Sequence, residues 1–415
     1  MCSIQKVVCV AAFAALVCSQ EARAQSPIDA DGYVAVVLRA HPAARQSAGL
    51  VGLGQAERSA VGRWPDPVLD VSLARARPGE PAIPAGAESG FGITQAIPWP
   101  GARSASIRAG DRGVEAFAAS AEGIRWDLVA DARWAFARLA LSRSLVAILR
   151  TAEEDTRSLR DLVARRADLG ESRESDRLKT TVEWLRQRRI LADAERDAQA
   201  AEATVRALAV EPLPRPLVIR DAPYPEITPQ NRDQLVALLV QRHPRLRAAL
   251  AETERQRALT DEARQSRAPG LAVSLFHAGE LDKSTNGVAF GVTVPLWNAN
   301  RGGVARALAS QSLASADAER LRVDLLAEFE SRFSAFEVAA GQVGTLNTDI
   351  LPAAAAGLKL ARFSYEEGET SLLDLLDAQR TYRETQRELA ESRLALTLAV
   401  TELQRLLGPD FTPWR

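Results

Sequence analysis

Three aspartates stand just beyond two glycines that interrupt long helical patterns. Asp176 follows Gly170 by six positions and Asp374 follows Gly368 by six, with Asp377 one helical turn beyond Asp374 on the same face. Carboxylates so placed can attract cations or can be the solvated face of an ordinary helix, and the residues alone leave both readings open. Other chemistry is poorly supplied. The chain has three histidines, His41, His243 and His277, and they are scattered, while its one methionine is Met1. A dedicated zinc or copper site needs grouped imidazole or thiolate ligands, so no metal site is assigned. His41 and His243 each precede a proline and read as cap or turn residues. There is no convincing Ser-His-Asp order, no metal-ligand spacing and no glycine-rich phosphate loop. No catalytic residue, cofactor site or cofactor is therefore assigned, and an enzyme is not expected.

The start of the chain reads as an export signal. Lys6 supplies positive charge, residues 7–17 are apolar, and Ala22-Arg23-Ala24 is a small-x-small cleavage site, giving a signal peptide over 1–24. Cys2, Cys9 and Cys18 all fall inside it, so the mature chain is expected to have no thiol chemistry. A lipid-modified Cys18 would want leucine three positions earlier and a small residue just before it, where this chain has Ala15 and Val17. Charge is balanced, 52 Lys+Arg against 53 Asp+Glu, which leaves no basic footprint for nucleic acid. No apolar run of membrane-spanning length follows the signal, but a β-barrel strand needs only about 9–11 alternating residues.

The elements that must carry the aspartates occur twice. His41-Pro42 opens a helical stretch that leads into Trp64-Pro65-Asp66-Pro67, two strand-like runs, Ile97-Pro98-Trp99, and a long proline-free helical region broken at Gly170. His243-Pro244 opens the second copy, which passes through Ala268-Pro269-Gly270, two strand-like runs, Val294-Pro295-Leu296-Trp297, and a helical region interrupted at Pro352 and broken at Gly368. A period this long is the mark of a duplicated unit. The spacing predicts a helix from Gly101 to near Leu169, on the order of 100 Å long. Glu171 or Ser172 is expected to start the helix after Gly170. Alternating residues predict strands near 68–76, 89–97, 271–278 and 287–294, with polar loops over 77–88 and 279–286. Trp64, Trp99 and Trp297 stand near one end of these strands, as membrane-interface aromatics would. A soluble hairpin in each repeat explains the same alternation. Four strands cannot close a barrel and an open edge cannot face lipid, so a membrane reading requires several chains, and three would supply twelve strands. Six prolines between Val210 and Pro229 predict an extended connector.

The segments 92–101 (GITQAIPWPG), 291–297 (GVTVPLW), Tyr365-Glu366-Glu367-Gly368 and 373–378 (LDLLDA), in this order within a duplicated plan, resemble the TolC-like outer membrane efflux proteins. The pattern is most similar to members that serve heavy-metal transporters of the Cus and Czc type. The resemblance implies a mostly α fold with a transmembrane β-barrel part: a duplicated repeat of long antiparallel helices plus two strands, trimerising into a 12-stranded barrel and a 12-helix periplasmic α-barrel. It implies a first efflux repeat over 25–209, a connector over 210–230, a second repeat over 231–408 and a tail over 409–415. It implies the exit duct of a tripartite pump in the outer membrane of a Gram-negative cell, reaching into the periplasm, passively conducting substrates such as heavy-metal cations. The implied partners are two further copies, a periplasmic adaptor, an inner-membrane RND transporter and outer membrane lipid. A duct for type I protein secretion and a poreless periplasmic coiled-coil adaptor are the alternatives.

Carried over residue by residue, the resemblance makes Asp176, Tyr365, Asp374 and Asp377 the periplasmic gate. Gly170 and Gly368 become the tips that contact the adaptor. Some members carry arginine two positions after the second glycine, whereas this chain has Thr370, leaving Arg362 or Arg173 as substitutes.

Overall fold

A computed structural model describes residues 27–76, 86–220, 231–294, 297 and 299–412. The signal segment, the middle of the first strand loop and the later part of the connector lie outside the described residues. The first copy runs α1 (Ala30–Ala40), α2 (Pro42–Ala60), β1 (Val68–Ala76), β2 (Gly86–Ile97), α3 (Pro100–Asp168) and α4 (Glu174–Ala209). The second runs α5 (Arg232–Arg242), α6 (Pro244–Gln265), β3 (Gly270–Gly279), β4 (Ser284–Thr293), α7 (Arg301–Thr345), a π-helical turn (Leu346–Ile350), α8 (Leu351–Glu366) and α9 (Leu372–Leu407). No helix among the described residues is long and apolar enough to cross a membrane.

Helix α3 has 69 residues, about 100 Å at the helical rise. Pro100 starts it, where a missing backbone N–H costs nothing. The expected break at Pro352 is wider than one residue. Proline lacks an N–H and crowds the preceding turn, and the helix absorbs this as a π-helical turn just upstream of it.

Short helices α1 and α5, which the sequence pattern did not separate from α2 and α6, are capped by Asp29 accepting from Gly32 N (2.8 Å) and Asn231 accepting from Gln234 N (3.2 Å). The two His-Pro pairs differ. His41 Nδ1 accepts from Ala43 N at 3.2 Å, as a cap should, whereas His243 is buried with Nδ1 unpartnered among the described residues and its ring edge-on to Trp126. Burial, with the Arg245 charge, lowers the His243 pKa to about 4.

The helices stand side by side. Near the sheet the order is α2, α3, α6, α7; towards the far end it is α4, α3, α9, then α7 and α8. Each repeat builds its own core, Tyr33, Leu128, Leu139 and Val205 in the first, Leu239, Phe329, Val400 and Leu403 in the second. The connector is docked as well as extended. Leu217 is buried in the first core, Ile219 bridges to Ile28, and Arg206 and Arg143 donate to the carbonyls of Leu213 (2.9 Å) and Leu217 (2.7 Å).

The two hairpins join into one antiparallel sheet, ordered β1-β2-β3-β4, through the pairing of β2 with β3. The strands reach further than polarity suggested. Residues 284–286, expected in a loop, pair with Gly279, Ala278 and His277, leaving only Glu280 to Lys283 as a turn. Registers align Leu69, Ile93, Leu275 and Val288 in one row, and Ile97, Leu271 and Val292 in another, so one face is apolar. That face is solvent-exposed in the single chain, with Val71 66%, Leu73 81% and Phe290 78% accessible. The opposite face is small and polar, with rows such as Ser72, Gly90, Ala278, Thr285. Val68 and Phe276 are exceptions, and Phe276 lies over Gly287, where an added Cβ would meet the ring at 2.5 Å.

Candidate functional site

The two helical turns farthest from the sheet are built alike. Gly170 and Gly368 take φ of +78° and +77°, a left-handed conformation that glycine adopts without strain. In the first turn Glu171 N and Ser172 N donate to Arg166 O at 2.8 and 3.3 Å; in the second Glu369 N and Thr370 N donate to Ser364 O at 2.8 and 3.3 Å. Nothing lies within 4 Å of a Cβ added at either glycine, so both tips are open.

The helices that leave the tips start differently. Ser371 caps α9 in a capping box: its Oγ accepts from Asp374 N at 3.3 Å, and Asp374 Oδ2 accepts from Ser371 N at 3.1 Å and Ser371 Oγ at 2.7 Å. At the equivalent position α4 has Arg173, not the expected Glu171 or Ser172, and its side chain makes no capping bond. The backbone bonds to Arg166 O already hold residues 171 and 172 in the turn, which moves the helix start one residue on.

The four gate candidates fall into two settings. Asp176 pairs with Lys179 (3.4 Å) and is partly covered. Lys179 occupies the position that Asp377 holds in the second copy, so the first tip balances its acid and the second doubles it. Asp374 is held below its ordinary carboxylate pKa by hydrogen bonds from the Ser371 side chain and backbone. Asp377 is exposed, with no ion pair among the described residues. Tyr365 lies apart from the acids, packed against the Leu159, Val163, Leu372 and Leu375 cluster with the Arg166 guanidinium 5.8 Å from its ring centre. Arg362 lines a cleft higher on the helices with Asp155, Gln379 and Arg383, and Thr370 Oγ1 is buried without a partner among the described residues.

Sequence reasoning missed a polar knot further along the helices from these tips. Arg383 on α9 pairs with Glu183 on α4 at 2.9 Å, each 12% exposed, and donates to Thr156 Oγ1 on α3 at 3.0 Å. Burial lowers the Arg383 pKa while the Glu183 charge opposes that shift. Glu183 shares a helix face with Thr180 and Gln187, which the structure buries but whose polarity gave no sign of it in the sequence.

At the opposite end of the long helices, Trp64 (56% exposed), Trp99 (41%) and Trp297 (96%) sit where strands meet helices, on the helix-proximal side of the sheet. The molecule thus has an exposed apolar band beside an aromatic fringe at one end, and carboxylate-bearing helix tips at the other.

Residues 235–409 match the family described as outer membrane efflux protein. The chain is 25% identical over 310 residues, 74% of each protein, to the cobalt-zinc-cadmium resistance protein CzcC of Cupriavidus metallidurans. Its fold is similar to that of the outer-membrane channel OprN (TM-score 0.76, 20% identity, covering 91% of this chain and 89% of that one). It is also similar to CusC (TM-score 0.75, 15% identity, covering 91% and 92%).

Proposed function

We propose that this chain, whose residues 235–409 match the outer membrane efflux protein family, is the exit duct of a tripartite heavy-metal efflux system. It acts as a homotrimer with a periplasmic adaptor and an inner-membrane RND transporter, and passes cations outward without a catalytic step. The gate is the ring formed by Asp374 and Asp377, with Asp176 and Tyr365 beside it, and Gly170 and Gly368 are the tips offered to the adaptor. Trp64, Trp99 and Trp297 lie at the membrane interface. We read residues 25–209 and 231–408 as the two efflux repeats.

The observation that carries the assembly is that both edges of the single chain are unfinished. Strands β1 and β4 each lack a neighbour on one side, and they run in opposite directions, so β4 of one copy can continue antiparallel onto β1 of the next. The edge helices match them. On α4, Leu178 (59%), Val182 (49%) and Leu185 (50%) form an exposed stripe opposite the buried Thr180 and Gln187. On α8, Leu360 (66%) and Phe363 (59%) are exposed opposite Leu358, Ala361 and Tyr365, which face the core. A first-repeat edge meeting a second-repeat edge is a head-to-tail contact, which closes into a ring when its rotation divides a full turn. Two copies would give eight strands, whose interior side chains alone can fill; three leave a lumen.

The CzcC likeness and the carboxylates favour cations as cargo over secreted protein. Reconstituted in planar bilayers, the purified protein should conduct with preference for cations. Cells lacking it should lose tolerance to cobalt, zinc or cadmium and regain it with the wild-type chain. A water-soluble monomer that never conducts would contradict the proposal.

A further inference from the structure

The strand–helix junctions carry arginines as consistently as tryptophans. Residues 61–67, 98–104, 266–269 and 294–301 contain Arg63, Arg103, Arg267 and Arg301, one in each segment, against a single acid, Asp66. All four arginines are exposed, and none makes an ion pair among the described residues. Cations on the neighbouring helices behave otherwise: Arg58 is paired with Asp111, Arg108 with Asp261 at 3.7 Å, and Arg264 with Asp261 at 3.6 Å. Four unpaired guanidinium groups at one level of the molecule call for an anion from outside the chain.

One junction holds a formed cleft. Trp64, Ile97, Pro98, Pro100 and Ile107 wall a space of about 430 Å³, and Arg103 and Arg108 stand at it. Arg103 Nε donates to Gly62 O at 2.8 Å, which fixes the guanidinium and leaves its two terminal nitrogens without an acceptor among the described residues. Gly62 reaches that carbonyl position with φ of +70°. Ile97 belongs to the apolar row with Leu271 and Val292, so the cleft opens directly onto the exposed apolar face of the sheet. A ligand that fits must therefore be anionic and compact at one end and long and apolar at the other.

We infer that this junction is a phospholipid site: Arg103 receives the phosphodiester of a lipid in the leaflet facing the helices, Trp64 and the prolines cover its glycerol backbone, and the acyl chains run along the Ile97 row. Arg63, Arg267 and Arg301 extend the same phosphate-level collar around the assembly. An arginine fork suits a phosphate because two N–H donors can meet two oxygens. The indole rings mark the same depth, since an amphipathic ring settles at the headgroup level. The inference rests on the chain being an outer membrane duct, and it names the lipid contact that this function leaves open.

Native mass spectrometry of the detergent-purified, delipidated trimer tests it, using palmitoyl-oleoyl phosphatidylglycerol and phosphatidylethanolamine as probes. Diacylglycerol with the same chains and soluble glycerol 3-phosphate serve as controls. The wild type should bind both phospholipids and discriminate against diacylglycerol, and glycerol 3-phosphate should not displace them. Arg103→Gln should weaken phosphatidylglycerol binding about fivefold, the worth of one basic residue at an anionic lipid surface, and Arg103→Lys should restore part of it. Equal binding of diacylglycerol, displacement by glycerol 3-phosphate, or an unaltered Arg103→Gln trimer would each overturn the inference. The diacylglycerol comparison needs no variant, so it stands even if Arg103→Gln fails to assemble. A wild-type chain that forms no trimer would instead overturn the membrane reading itself.

Discussion

Asp374 performs two tasks with one carboxylate. It accepts from Ser371 N and Oγ and so starts α9, and the same bonds hold its pKa below the ordinary value of 3.8. A carboxylate whose folded pKa is depressed contributes stability that is present above its unfolded pKa and is lost as pH falls through the lower folded value. The α9 start should therefore stay intact at neutral pH and fray only in acid below the ordinary carboxylate range, as amide exchange at residues 371–375 would report. Asp377 carries charge without a structural bond, and Lys179 cancels Asp176 on the other tip. Asp377→Asn is expected to lower cation-over-anion permeability severalfold in bilayers without disturbing the helix. Lys179→Gln should raise that permeability ratio by exposing Asp176. Unchanged selectivity in both variants would remove these residues from the gate.

At the scale of elements, the knot of Arg383, Glu183 and Thr156 ties α9 of the second repeat to α3 and α4 of the first. Removing one partner leaves the other charge buried, so Arg383→Met should cost about 3–5 kcal/mol in denaturant unfolding of the detergent-solubilised protein. The double variant Arg383→Met, Glu183→Leu should recover most of that loss, and equal losses in single and double variants would show that the pair is not coupled. The long helices were legible from the sequence because absence of proline and a 3.6-residue period act locally. The tips were legible because glycine is the residue a left-handed turn requires. Strand existence was legible from alternation, but the reach of β4 was not: Ser284, Thr285 and Asn286 look like loop residues, yet backbone pairing with β3 is indifferent to their polarity. The polar knot joins residues about two hundred positions apart, and no local pattern on any of the three helices announces which partners meet.

For the whole molecule, the duplication gives a wall with two raw edges. The chain hides the apolar residues between its own helices, and it leaves exposed the sheet face, the α4 stripe and the α8 stripe. Exposed apolar surface of that extent marks contact with lipid or with another protein, and its distribution separates the two. The sheet face looks outward along one side, while the helical stripes sit at opposite ends of the four-helix row. They also lie at one height: Leu178 is eight residues beyond Gly170 and Leu360 eight before Gly368, on helices running in opposite directions. The most direct test of edge-to-edge assembly is therefore a cysteine pair, Leu178→Cys with Leu360→Cys, placed where residues 19–415 contain no cysteine of their own, oxidised in membranes and run on a non-reducing gel. A ring of three copies predicts a covalent trimer that collapses to monomer on reduction, with neither single variant passing beyond a dimer. A double variant that stays monomeric, or cross-links only within one chain, would contradict the claim that this protein builds its channel from copies set edge to edge.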